Sequence, residues 1–242
     1  MLISPSIASS DLLHLEEETV FAARHFGQIH IDIEDGTIVP NITMGMKVCQ
    51  EVCENSVDEG EQRHYRVIEA LYLRDRPLSP TAVAEREPYR SIHLSVLEPL
   101  KYLERVKKCK ADIVFLALNH LEHPCEVLEA YLAEGIPTGI SISNLDLDRD
   151  PETLKKLLKL SGQVVVVTNR VGDPERRFQY SMEKTAEEIA DTYGVPVWLD
   201  GNVTYEIWKE LEDRNIYAAV MGGAIYRDKE LALRQYNGIT LN

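Results

Sequence analysis

Ile29-His30-Ile31-Asp32-Ile33-Glu34-Asp35-Gly36 alternates aliphatic and polar side chains as far as Glu34, and Ser91-Ile92-His93-Leu94-Ser95-Val96 repeats the pattern. Period-two alternation marks a strand, with His30, Asp32 and Glu34 on one face and Ile29, Ile31 and Ile33 on the other. An aliphatic face needs helices over it, so the polar face points into a shared interior or onto its rim. A carboxylate desolvated beside an imidazole is costly unless positive charge or hydrogen bonds compensate. Metal coordination is one such compensation.

Outward from these two segments, strand-like and helix-like stretches alternate along the chain. Strands are expected at 2–6, 28–34, 91–96, 112–119, 138–144, 163–169, 195–200 and 218–221. Helices are expected at 12–26, 46–54, 99–108, 124–134, 151–160, 182–193 and 205–214, with a short one from 228. Asp150-Pro151-Glu152 shows how such a helix starts, with an N-cap residue followed by proline in the first turn. Eight strand-then-helix units predict an α/β protein of the (β/α)8 TIM-barrel class, a fold of about 250 residues.

A doubly wound open sheet is the alternative. No Gly-x-Gly-x-x-Gly follows any of the strands, although the run 164–167 would suit that fold. An open parallel sheet buries both faces and tends toward continuous aliphatics. Here polar residues recur on one face: Ser4 and Ser6, His30 and Asp32, His93 and Ser95, Asn119, Ser141 and Ser143, and Asp200. The barrel is therefore favoured, as one domain over 1–242. Residues 56–90, polar at first and later containing three prolines, break the rhythm and read as an insertion between the second helix and the third strand.

A net charge of −14 argues against a nucleic-acid or anionic-membrane partner, while a local site can still oppose the global sign for a small anion. No stretch approaches the roughly 18–20 apolar residues of a membrane span. Met1-Leu2-Ile3-Ser4-Pro5-Ser6 lacks the basic start and apolar run of a secretory signal, so a cytoplasmic location is the default expectation. Cys49 and Cys53 are four apart in an expected helix; Cys109 and Cys125 stand alone in the sequence. A Cys-x3-Cys pair can bind metal, but buried packing is the commoner use, and all four are read as reduced and structural.

His30, Asp32, His93 and Asp200 share one condition: each faces inward near the carboxyl end of a strand, the rim where TIM barrels gather their catalytic groups. An isolated His-x-Asp is more often a satisfied buried pair. Two imidazoles and two carboxylates on a barrel frame point instead to one divalent ion, Zn2+ first, with Fe2+, Mn2+ or Co2+ as alternatives. A Schiff-base aldolase on the same fold would need an inward-facing lysine, and no expected strand supplies one.

The chain resembles the ribulose-phosphate 3-epimerase family. The matching stretches are Ile3-Ser4-Pro5-Ser6-Ile7-Ala8-Ser9-Ser10-Asp11, then His30-Ile31-Asp32-Ile33-Glu34-Asp35-Gly36 and Val39-Pro40-Asn41-Ile42-Thr43-Met44-Gly45. They continue with His93-Leu94, Trp198-Leu199-Asp200-Gly201 and Gly222-Gly223-Ala224-Ile225-Tyr226. The resemblance implies a ribulose-phosphate-binding barrel with a metal held by His30, Asp32, His93 and Asp200. It also implies proton transfer beside the ketone of a phosphorylated ketose. In that scheme the metal polarises the C2 carbonyl and stabilises an enediolate. Asp32 and Asp200, on opposite sides of the sugar, exchange the C3 proton. The implied substrate is ribulose 5-phosphate, a small-molecule sugar phosphate, and the family implies a homo-oligomer.

The resemblance further implies substrate contacts from Ser6 and His93, and a phosphate site from Gly172, Gly201, Asn202, Gly222 and Gly223. Glycine allows the close backbone approach an anion needs. Several positions depart from the family. Its methionines around the metal are matched by Glu34, Ser95 and Val167; Glu34 either competes as a ligand or bends to solvent. The strand-four His-x-Glu is Ala117-Leu118-Asn119 here. The glycine-rich loop after strand six, residues 170–178, keeps only Gly172, with Arg170, Arg176 and Arg177 as charged donors that could replace it or be merely solvated. A six-carbon ketose phosphate, or a barrel that binds sugar phosphate without efficient turnover, are the alternatives these departures leave open.

Overall fold

The computed structural model describes residues 1–56, 88–170 and 175–240. Eight strands run through it: β1 (Leu2–Pro5), β2 (Gln28–Glu34), β3 (Tyr89–Ser95), β4 (Ile113–Ala117), β5 (Thr138–Ile142), β6 (Val164–Val167), β7 (Val197–Asp200) and β8 (Ala218–Met221). They pair in the order β1-β8-β7-β6-β5-β4-β3-β2, every pair parallel. The remaining seam, β1 against β2, carries a parallel bridge between Ser6 and His30. Sequential order around a ring is the TIM-barrel arrangement; a doubly wound sheet would reverse its order at a switch point.

The helices are α1 (Leu15–Phe26), α2 (Met46–Asn55), α3 (Leu103–Cys109), α4 (Pro124–Ala133), α5 (Pro151–Leu160), α6 (Tyr180–Tyr193), α7 (Tyr205–Glu210), α8 (Gly223–Tyr226) and α9 (Lys229–Thr240). Their ends follow local chemistry. Asp150 accepts from Thr153 N at 2.9 Å and caps α5, with Pro151 in its first turn. Gly27, left-handed at φ 63°, closes α1 so that the chain can turn straight into β2.

Several expected boundaries shift. Residues Leu12–His14 and Pro99–Tyr102 form 3-10 turns ahead of α1 and α3. The last helix, expected to be short, has 12 residues. Ala232 and Tyr236, four apart, are fully buried on it, and Tyr236 meets Phe26 and Trp208 edge-on. Most of the expected insertion, residues 57–87, lies outside the described residues. Tyr89 and Arg90, read as its end, belong to β3.

Strand alternation divides the interior into two cores. Outward-facing Ile29, Ile31, Ile33, Ile92, Leu94, Val114 and Leu116 are buried beneath the helices. Inward-facing Tyr89, Ile113, Phe115, Val165, Trp198, Ala218 and Val220 form a separate plug inside the barrel. Trp198 is its centre. It stacks on Tyr89 (centroids 5.9 Å apart), meets Phe115 edge-on at 5.5 Å, and its indole N–H donates to Gln163 Oε1 at 2.7 Å. Gln163 Nε2 in turn donates to the Tyr89 hydroxyl at 2.9 Å. Gly139 makes room for this plug, since a Cβ there would lie 2.8 Å from the Phe115 ring and 2.5 Å from Gln163 O. The strand ends above the plug are polar, and that is where the site forms. Among the described residues, no helix is long and apolar enough to cross a membrane.

Candidate metal centre at the barrel mouth

Four side chains from three strands converge above the plug. His30 and Asp32 come from β2, His93 from the neighbouring β3 and Asp200 from the last position of β7. One ligand atom from each lies within 4.8 Å of the other three. The surrounding hydrogen bonds show which atoms face inward. Ser91 Oγ is 3.3 Å from Ile29 O, to which its hydroxyl donates, and 2.8 Å from His30 Nδ1, whose N–H it therefore accepts. That leaves His30 Nε2 as the ring nitrogen turned toward the centre. The atom is fully buried, has no hydrogen-bond partner, and lies 3.3 Å from Asp32 Oδ1 and 3.8 Å from Asp200 Oδ2.

His93 presents the other nitrogen. Its Nε2 sits 2.9 Å from Ser141 Oγ, while Nδ1 faces Asp200 Oδ2 at 3.1 Å and Asp32 Oδ1 at 3.5 Å. Ser6 Oγ donates to Asp32 Oδ2 at 2.5 Å, occupying one carboxylate oxygen and leaving Oδ1 for the centre. Burial would raise Asp32, but the His30 and His93 imidazoles hold its carboxyl below the ordinary range. Burial would likewise lower His93, yet Asp200 and Asp32 push it up to about 10. Both shifts show that two carboxylates favour positive charge between them.

A buried imidazole nitrogen with no hydrogen-bond partner, a second imidazole and two carboxylate oxygens, brought together at one point, form the donor set of a borderline divalent ion. The residues present fit such an ion.

Glu34 neither joins this group nor bends away to solvent. Its Oε2 accepts from Asn41 Nδ2 at 2.6 Å, because the chain after β2 folds back through a bridge between Asp35 and Ile42. Burial first, and then the Asp32 charge, raise its carboxyl.

The remaining expected residues lie around the mouth. Gly201 follows Asp200 at φ 127°, Asn202 is left-handed at φ 54°, and the Gly201 carbonyl accepts from Thr168 Oγ1 at 2.7 Å. Gly222 packs on Ser9 and caps the short α8, and Gly223 lies beside the Arg227 side chain. Gly172 lies outside the described residues. Of the loop arginines, Arg170 and Arg176 are exposed, and Arg177 is engaged with Glu175 at 3.0 Å. Ser91, Asn41 and Arg227 were not singled out from sequence. Ser91 could have been, because it lies two residues before His93 on the same strand face.

At Gly201 a Cβ would fall 2.4 Å from Asn169 Oδ1 and 2.8 Å from its backbone N, on a backbone that side chains rarely adopt. Gly201→Ala is therefore expected to cost about 1–3 kcal/mol, seen as a lower urea midpoint at unchanged slope. An unchanged midpoint would refute the strain.

The sequence model of the Ribulose-phosphate 3 epimerase family matches residues 2–69 and 57–226. A ribulose-phosphate 3-epimerase of Helicobacter pylori is 26% identical over 238 residues, covering 96% of this chain and 94% of its own length. The Synechocystis relative of the same name is 29% identical over 240 residues, covering 93% and 87%. Among solved structures, the tryptophan synthase α-subunit of Pyrococcus furiosus superposes with a TM-score of 0.59 at 14% identity, over 100% of this chain and 94% of its own. The phosphoribosyl anthranilate isomerase of Thermus thermophilus gives 0.57 at 14%, over 93% and 88%. At such identities these structures speak for the barrel fold alone.

Proposed function

The chain belongs to the ribulose-phosphate 3-epimerase family, isomerases acting on carbohydrates, and from that premise we propose that it interconverts D-ribulose 5-phosphate and D-xylulose 5-phosphate. The observation that carries the reading is the convergence of His30 Nε2, Asp32 Oδ1, His93 Nδ1 and Asp200 Oδ2 at the open end of the barrel. Those four atoms would hold a divalent ion, Zn2+ being the best match to the donors. Once bound, it supplies a Lewis acid that polarises a carbonyl and stabilises negative charge on its oxygen.

The chain's own residues do the rest. Asp32 rests ionised, held so by the two imidazoles and the Ser6 hydroxyl, and takes the C3 proton from one face of the sugar. The C3–H electrons pass into the C2–C3 bond and onto the carbonyl oxygen. Asp200 in its acid form gives its own proton to the opposite face, which inverts C3 and leaves Asp200 ionised. In the reverse direction the two roles exchange. The Asn41 hydrogen bond engages Glu34 Oε2 and turns it from the centre. Gly201, Asn202, Gly222 and Gly223 line the backbone approach for the phosphate, and the exposed Arg227 beside Gly223 supplies charge.

Ser91 and Ser141 are positioning residues, each fixing the ring nitrogen that its histidine turns away from the centre. Ser91→Ala and Ser141→Ala are each expected to weaken metal affinity about 10–100-fold, read by competition with a chromophoric chelator. Unaltered affinity in both would remove them from the account.

The whole reading is tested by a coupled assay of ribulose 5-phosphate conversion with metal-loaded protein, beside a six-carbon ketose phosphate. Glu34, Ser95 and Val167, which depart from the methionines that the family resemblance implies, keep the larger sugar as the second reading. Turnover of neither rejects both.

A further inference from the structure

A second cluster of metal-ligating side chains lies away from the barrel mouth, in the helical layer. Cys49 and Cys53, four residues apart, share one face of α2. The carboxyl end of α3 brings Cys109 to them, although the sequence reading had it standing alone. All three are free thiols, 0%, 2% and 3% exposed. Their sulfurs lie within 4.8 Å of one another, and Cys49 Sγ is 3.9 Å from Cys109 Sγ.

That spacing has a chemical meaning. A metal–thiolate bond is about 2.3 Å, so two sulfurs on one tetrahedral or trigonal ion stand about 3.8–4.0 Å apart. The three sulfurs need little movement to meet such an ion. Binding replaces three S–H protons, which leave to solvent, and forms three metal–sulfur bonds with no change of oxidation state. Arg90, whose Nη1 donates to the Cys53 carbonyl at 2.7 Å, places positive charge beside the negative centre that results. Pure sulfur donors select soft ions, unlike the nitrogen and oxygen donors at the barrel mouth.

We propose that Cys49, Cys53 and Cys109 form a second, all-sulfur site for a soft thiophilic ion of the Zn2+, Cd2+ or Cu+ class. It ties α2 to α3 on the outside of the barrel, apart from the epimerase centre.

Cadmium is the probe, because thiolate-to-cadmium charge-transfer absorption arises from sulfur ligands and is silent to the His–Asp centre. Reduced, metal-stripped full-length protein is titrated with Cd2+, beside Cys125→Ser and Cys109→Ser. The wild type is expected to develop the band with an amplitude of about three cadmium–sulfur bonds. Cys125→Ser, altered outside the cluster, keeps it in full, and Cys109→Ser loses much of it. If Cys109→Ser does not fold, the wild type and Cys125→Ser decide alone, since a full band without Cys125 leaves only the cluster as its source. No band in the wild type, or a band abolished by Cys125→Ser, overturns the proposal.

Discussion

Asn in place of Asp200 is expected to lower turnover of ribulose 5-phosphate about 10²–10⁴-fold, the range a positioned general acid or base contributes. The substitution keeps the shape of the side chain, so the barrel and the β7 pairing should survive, and an unchanged circular dichroism spectrum checks this. What is lost is an oxygen that can hold and return a proton 3.1 Å from His93 Nδ1. Asp32→Asn should fall in the same range. In each variant an amide replaces a charged ligand group, that of Asp32 facing both imidazoles at 3.3 and 3.5 Å, so metal affinity falls in both. The two replacements together should cost little more than either alone, because inversion needs both the group that removes the C3 proton and the group that supplies its replacement. Turnover within a few-fold of wild type in either variant would take that carboxylate out of the chemistry.

The second large effect is on stability. Trp198→Ala is expected to cost about 3–5 kcal/mol, the range for emptying a large aromatic from a core. It leaves a void between Tyr89 and Phe115 and strips Gln163 Oε1 of its indole donor. For a chain of this size that corresponds to a melting temperature about 6–20 °C lower. Urea unfolding of the two proteins measures it. Trp198→Phe, which keeps most of the volume but not the N–H, should fall between them. A cost for Trp198→Ala below about 1 kcal/mol would mean that the plug does not support the barrel floor.

How much of this was legible in the chain depends on how local the signal is. The bounds of β2 follow from its alternation alone, because a pleated strand with one covered face writes its own period into the sequence. The cap at Asp150 was legible for the same reason, since its donor lies three residues on. The start of β3 was not. Tyr89 looks like the end of a polar, proline-bearing stretch, and only its stacking on Trp198, more than a hundred residues later, shows that it faces the barrel interior.

The site divides in the same way. That His30, Asp32, His93 and Asp200 share a rim followed from strand parity and barrel closure. Which nitrogen of each histidine faces the centre did not, because that depends on Ser91 and Ser141 reaching across from other positions on the sheet. The sequence offers Glu34 two places, ligand or solvent, and the fold supplies a third through Asn41. Cys109 looked isolated because the distance from α2 to α3 is a matter of packing, which no spacing in the sequence encodes.

The most direct test of the account is the fate of hydrogen at C3. Metal-loaded protein is incubated with ribulose 5-phosphate in heavy water and the sugar is followed by proton NMR. The account predicts xylulose 5-phosphate carrying deuterium at C3, a product that neither Asp32→Asn nor Asp200→Asn forms at an appreciable rate. Protium retained at C3 in every sugar recovered, with the metal bound and the protein folded, would contradict it.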